Sequence, residues 1–141
     1  MNAIVIGTDG SPGAEAAIQK VVELVGGTGA TVHLVCAYPG RSALERIGMT
    51  AKSDPVDLRG VASDIVSREE HRFDGAGLKV EKHVREGEPA HTILDVADEQ
   101  HADLIVVGAG GTPGHRRLML GGVAGKLAHN AQTSLLIVHP T

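Results

Sequence analysis

Two short apolar runs constrain the fold of this chain more than any other feature. Ala3-Ile4-Val5-Ile6 ends at Gly7, and Leu104-Ile105-Val106-Val107 ends at Gly108. Neither run alternates with polar residues, so each reads as a strand buried on both faces. Between and after them, apolar residues recur at helical spacing. Strands that alternate with helices form a parallel sheet covered on both sides.

The remaining elements follow from the same pattern. Ser11-Pro12 supplies an N-cap and a proline at the first helical position. Ala14, Ala17, Ile18, Val21, Val22 and Val25 then mark an amphipathic helix stopped by Gly26-Gly27. Thr31 to Tyr38 is the second strand. Residues 41–55 are irregular and read as a mobile connection with a helical turn around Ala43 to Ile47. Val56, Val61, Ile65, Val66 and Phe73 mark a second helix, ended by Gly75-Ala76-Gly77. Leu78 to Arg85 is the third strand. Gly87-Glu88-Pro89 leads into a helix carrying Ile93, Leu94, Val96 and Ala97. A helix over Val123 to Asn130 and a strand over Leu135 to Val138 close the chain. Five strands and four helices are expected, in one α/β domain spanning residues 1–141.

Composition narrows the function. The chain is 42% apolar and 21% charged over 141 residues, enough for one core without a disulfide or metal. Its net charge of −4, with one Phe, one Tyr and no Trp, lacks both the basic footprint and the aromatic platforms of a nucleic-acid binder. The single cysteine, Cys36, lies in a strand and reads as a small buried hydrophobe in a reducing compartment. No signal peptide or membrane-spanning run is apparent, which predicts a cytoplasmic protein. The eight histidines scatter without an H-x3-H or H-E-x2-H pair, so no metal site is expected. Glu69-Glu70 and Asp98-Glu99 read as solvated helix faces. No nucleophile is set beside a base, so no catalytic residue is assigned.

The chemistry concentrates in Gly108-Ala109-Gly110-Gly111 and Gly121-Gly122-Val123-Ala124. A strand, a glycine-rich loop and a helix N-terminus offer bare N–H groups and a positive dipole end to an anion. The P-loop pattern fails, because Leu120 stands where its first glycine belongs and Leu127 follows Lys126. The dinucleotide fingerprint fails at Pro113. Ligands of open parallel sheets sit beyond the carboxyl ends of the strands. If the first and fourth strands are neighbours, the exits at Gly7-Thr8-Asp9 and Gly108 share one crevice. Asp9 then suits a base or ribose better than a phosphate, or else it helps cap the helix after Gly10.

The spacing Gly108-x2-Gly111-x9-Gly121, followed by Val123, resembles the nucleotide-binding motif of the universal stress protein family. The likeness extends to Thr8-Asp9-Gly10-Ser11, Gly87-x-Pro89, Ala102 to Gly108 and Leu135 to His139, and covers the chain apart from residues 41–60. It implies a five-stranded parallel sheet of order 3-2-1-4-5 with helices on both faces. It also implies non-catalytic binding of an adenine nucleotide (ATP, AMP or cyclic AMP, with or without Mg2+) in a stress-response or regulatory role. By motif position, Gly7, Thr8, Asp9 and Ala37 would face adenine and ribose. Gly108, Gly111, Gly121, Gly122, Val123 and Ala124 would surround the phosphates. The family also implies a homodimer through the last strand, Leu135 to Val138, and an apolar run at a sheet edge suits that pairing.

Two residues depart from the family pattern. Gly122 and Ala124 stand where hydroxyl side chains are usual, which removes two donors to phosphate and puts self-phosphorylation there out of reach. The alternative is an interaction protein of the same fold that has lost nucleotide binding. A slow ATPase is a third, weaker reading. His115-Arg116-Arg117, between the glycine clusters, is a phosphate clamp or a solvated basic loop. Lys126 reads as a surface lysine.

Overall fold

The computed structural model describes residues 1–46, 48, 57–110 and 122–140. Its strands are β1 (Ala3–Gly7), β2 (Thr31–Tyr38), β3 (Lys79–Glu86), β4 (Leu104–Gly108) and β5 (Ser134–Val138). Its helices are α1 (Pro12–Val25), α2 (Arg41–Arg46), α3 (Leu58–Glu70), α4 (Pro89–Glu99) and α5 (Gly122–Asn130). The strands form one parallel sheet of order β3-β2-β1-β4-β5. β1 and β4 pair side by side, Ile4 with Leu104, Val5 with Ile105 and Ile6 with Val106. Asp103 Oδ2 accepts the backbone N–H groups of Asn2 and Ala3 at 2.7 and 2.9 Å, which fixes that register at its start.

The side-chain period of two divides the sheet into two cores. Ile4, Ile6, Val32, Leu34, Cys36 and Val106 pack against Ile18 and Val21 of α1 and Ala62 and Val66 of α3. Val5, Val35, Ile105 and Val107 pack on the other face against Ile93 and Val96 of α4 and Leu127 of α5. Because both faces are covered, β1 and β4 are apolar throughout instead of alternating.

α1 begins as its sequence demands. Ser11 is its N-cap, with Oγ accepting the N–H of Ala14 at 3.3 Å, and Pro12 follows at the first helical position. In α4 the cap is Glu88, whose carboxylate accepts the N–H groups of Ala90 and His91 at 3.2 and 2.9 Å.

Three details differ from the sequence reading. Residues 41–46 form helix α2, starting before the single turn expected at Ala43; residues 47 and 49–55 lie outside the described residues. Val61 was placed on the apolar face of the second helix but is 50% exposed. The buried face of α3 instead runs through Ala62, Val66 and Glu69, at spacings of four and three. Phe73 belongs to a 3-10 turn (His71–Phe73) after α3 and is buried there.

Candidate functional site

Because β1 and β4 are neighbours, their exits open into one crevice at the carboxyl edge of the sheet. Among the described residues its floor includes Gly7, Val35, Ala37, Val107 and Gly108. One wall is the start of α1, with Ser11, Gly13 and Ala14. Another is the start of α5, with Gly122, Val123 and Ala124. Pro89 and Ile93 of α4 close a third side. The first N–H groups of each helix lack intrahelical acceptors, and the helix dipole adds positive potential at the same end.

Gly7, Thr8, Asp9, Ala37, Gly108, Gly122, Val123 and Ala124 all line this crevice. Gly111, Gly121 and the His115-Arg116-Arg117 loop lie outside the described residues. Asp9 is exposed, and its Oδ1 accepts the N–H of Ser11 at 2.9 Å. It therefore organises the turn into α1, while Ser11 performs the capping. Lys126 does not line the crevice: it is exposed and donates to Glu88 Oε1 at 3.3 Å, tying α5 to the start of α4.

Gly108 is required by a close approach of backbones. A Cβ there would lie 2.7 Å from both the carbonyl carbon and oxygen of Gly13. The bare Cα of Gly108 thus lets the end of β4 meet the first turn of α1, whereas a Cβ at Gly13 would make only ordinary contacts, 3.7 Å from Ser11 Oγ and 3.9 Å from Gly108 Cα. Gly13 was not singled out from the sequence, although a glycine inside a helical pattern is a signal of close packing. Pro89 and Ile93 were missed because they reach the site only through the crossing of α4 over β1 and β2. Gly110 has a φ of +73°, so the exit of β4 turns through a conformation that side chains disfavour.

Thr8 lines the crevice, but its hydroxyl is committed elsewhere. It donates to Glu69 Oε1 at 2.5 Å and accepts the N–H of Gly10 at 3.1 Å. Glu69 corrects the solvated-face reading: it is 2% exposed, and its Oε2 has no hydrogen-bond partner among the described residues. α3 thereby anchors the β1 exit loop. Burial raises the Glu69 carboxyl above its ordinary value of 4.5, against the opposing pull of the Thr8 hydrogen bond and of Arg72 and Arg68. Cys36 is buried, and burial with the nearby Glu69 and Asp9 carboxylates pushes its thiol up to about 11, so it stays protonated and unreactive.

The folded chain accordingly binds the Glu69 proton more tightly than the unfolded chain does. The associated stability is full below the unfolded value near 4.5 and is lost as pH rises through the raised folded value. Glu69→Gln removes that titration. Urea unfolding at about pH 4 and pH 7 is expected to show the wild type losing stability relative to Glu69→Gln as pH rises. A difference independent of pH would contradict the assignment.

A sequence profile of the Universal stress protein family matches residues 1–139. Universal stress protein MT1672 of Mycobacterium tuberculosis is 30% identical over 141 residues, which cover 98% of this chain and 96% of that protein. YxiE, a universal stress protein of Bacillus subtilis, is 28% identical across 77% of this chain and 86% of its own length. Among solved structures, a universal stress protein in complex with cAMP superposes with a TM-score of 0.71 at 26% identity, covering 99% of this chain and 98% of that one. The Archaeoglobus fulgidus universal stress protein in complex with dAMP has the same fold, with a TM-score of 0.74 at 23% identity over 98% of each chain. The whole-length profile, the relatives and the strand order agree: this chain belongs to the universal stress protein family.

Proposed function

We propose that the chain binds an adenine nucleotide in the crevice between the ends of β1 and β4, without turning it over, and that occupancy is the regulatory signal. The observation that carries this reading is the joining of two strand exits and the starts of α1 and α5 at one place, backed by the Gly108–Gly13 approach. The base and ribose would rest near Gly7, Thr8, Asp9 and Ala37. The phosphate would meet Gly108 and the α5 start at Gly122, Val123 and Ala124, with Gly111 and Gly121 completing the loop. The crevice formed by the described residues measures about 260 Å³, just below the roughly 300–1,000 Å³ typical of ligand clefts. That size suits a mononucleotide better than a dinucleotide. The relative solved with cAMP supports the same class of ligand.

The phosphate count is set by what the α5 start can donate. Gly122 and Ala124 offer only backbone N–H groups, which favours AMP or cyclic AMP over ATP with Mg2+. A Cβ at Gly122 would meet no atom within 4 Å, so a serine fits there. Gly122→Ser should tighten ATP selectively. A hydrogen bond to a charged group is worth about 1.5–3 kcal/mol, or roughly 10- to 100-fold in affinity. Calorimetric titration with ATP, AMP and cyclic AMP tests both statements. Millimolar or weaker binding of all three would remove the proposal. It would leave the second reading, an interaction protein without nucleotide, which the two missing hydroxyls favour. Homodimerisation would use β5, whose only sheet partner among the described residues is β4, leaving its outer edge open to a second copy.

A further inference from the structure

A second cluster lies apart from the crevice, where β2 meets the edge strand β3. His33 pairs in register with Glu81, and Val35 with His83, so His33, Glu81 and His83 project from the same face of the sheet. His33 Nδ1 lies 3.0 Å from His83 Nε2 and 3.1 Å from Glu81 Oε2. All three ligand-capable atoms fall within 4.8 Å of one another. His33 is 3% exposed, His83 is half-buried and the Glu81 side chain is 58% exposed, so the group has a buried base and an open mouth.

A single proton serves this arrangement poorly. If His33 Nδ1 carries it, the proton can point fully at the carboxylate or at the imidazole, not at both. If His33 Nδ1 lacks it, a lone pair faces a carboxylate. A cation at the centre takes all three lone pairs together. The geometry is close to what such an ion needs, since atoms bound tetrahedrally at 2.0–2.1 Å stand about 3.3 Å apart. The exposed Glu81 side chain is free to close the third edge.

From this convergence we propose that His33, Glu81 and His83 form a binding site for a divalent cation of the zinc class, with a fourth position open to water. Two imidazoles and one carboxylate suit Zn2+ and its neighbours Co2+, Ni2+ and Cu2+, whereas Mg2+ and Ca2+ require oxygen donors. Arg85, two positions along β3, would oppose a cation, and Glu99 of α4 pairs with it at 2.6 Å. The bound ion would tie the edge strand to the sheet interior. The sequence could not show this site, because His33 and His83 are 50 positions apart and only parallel register unites them.

The test uses the full chain, titrated with Zn2+ by calorimetry and with Co2+ by visible absorption, which reports coordination number. The expected result is one ion per chain, the intense absorption of four- or five-coordinate Co2+, and a zinc-dependent rise in melting temperature. Loss of an outer-shell partner alone weakens metal sites by about 10- to 100-fold, so Glu81→Gln and His83→Gln should each weaken binding at least that much. His71→Gln and His91→Gln, at exposed pairs with Asp74 and Asp95, should leave it unchanged. Circular dichroism checks that each variant is folded, and exposed Glu81 gives a variant with little risk to the core. Absence of saturable binding overturns the proposal. So does an affinity that survives either Glu81→Gln or His83→Gln.

Discussion

Gly108→Ala is expected to destabilise the protein by about 2–3 kcal/mol and to weaken nucleotide binding at the same time. The methyl group would sit 2.7 Å from the Gly13 carbonyl carbon and oxygen and 3.1 Å from its Cα. Those atoms are backbone, so no rotamer change makes room. Either β4 or the first turn of α1 must shift, and overpacking of that kind typically costs about 1–3 kcal/mol. For a chain of this length the melting temperature should fall by roughly 6–12 °C. Both elements line the crevice, so the same shift disturbs the ligand's contacts. Calorimetric melting with and without nucleotide reads both effects. An unchanged melting temperature would mean that the two backbones part freely and that Gly108 is not needed for their approach.

Ile6→Ala is expected to cost about 3–4 kcal/mol, within the range for removing most of a buried aliphatic side chain. Ile6 is fully buried in the central strand, among residues packed against α1 and α3. Val61→Ala is the matched comparison. It removes an aliphatic side chain that is 50% exposed, so its effect should stay within about 0.5 kcal/mol. Urea unfolding at constant m-value measures both. Equal losses at the two positions would contradict the division of the sheet into covered faces and the orientation of α3.

The contrast between Ile6 and Val61 marks how far the sequence could be read. β1 and β4 are legible to within a residue, because strands buried on both faces are uninterrupted apolar runs, and β2 is legible from Thr31 to Tyr38 by its apolar majority and the Pro39-Gly40 stop. The crevice is legible for a related reason. Glycines at strand ends leave a local trace, and eight of the ten residues assigned to the site from sequence line it. α3 was less legible because its inward face combines Ala62, Val66 and the carboxylate of Glu69. Nothing local distinguishes a solvated Glu69 from one lodged beneath a neighbouring loop. Its burial follows from the place of α3 beside the β1 exit, which depends on the order of the whole sheet. The His33–Glu81–His83 group has the same origin, since its parts meet through register between strands and not through spacing along the chain.

The nucleotide proposal and the cation proposal rest on different side chains and can fail separately. Ligation at β2 and β3 draws on no residue at the α5 start, and the crevice contains neither His33, Glu81 nor His83.

The most direct test of the central claim is a titration of the isotopically labelled chain with AMP, followed through its backbone amide resonances. Saturable shifts are predicted at Gly7, Asp9, Gly108, Val123 and Ala124 together, because one ligand spans the β1 exit and the α5 start. Silence at those amides, or shifts confined to the β3 edge, would contradict it.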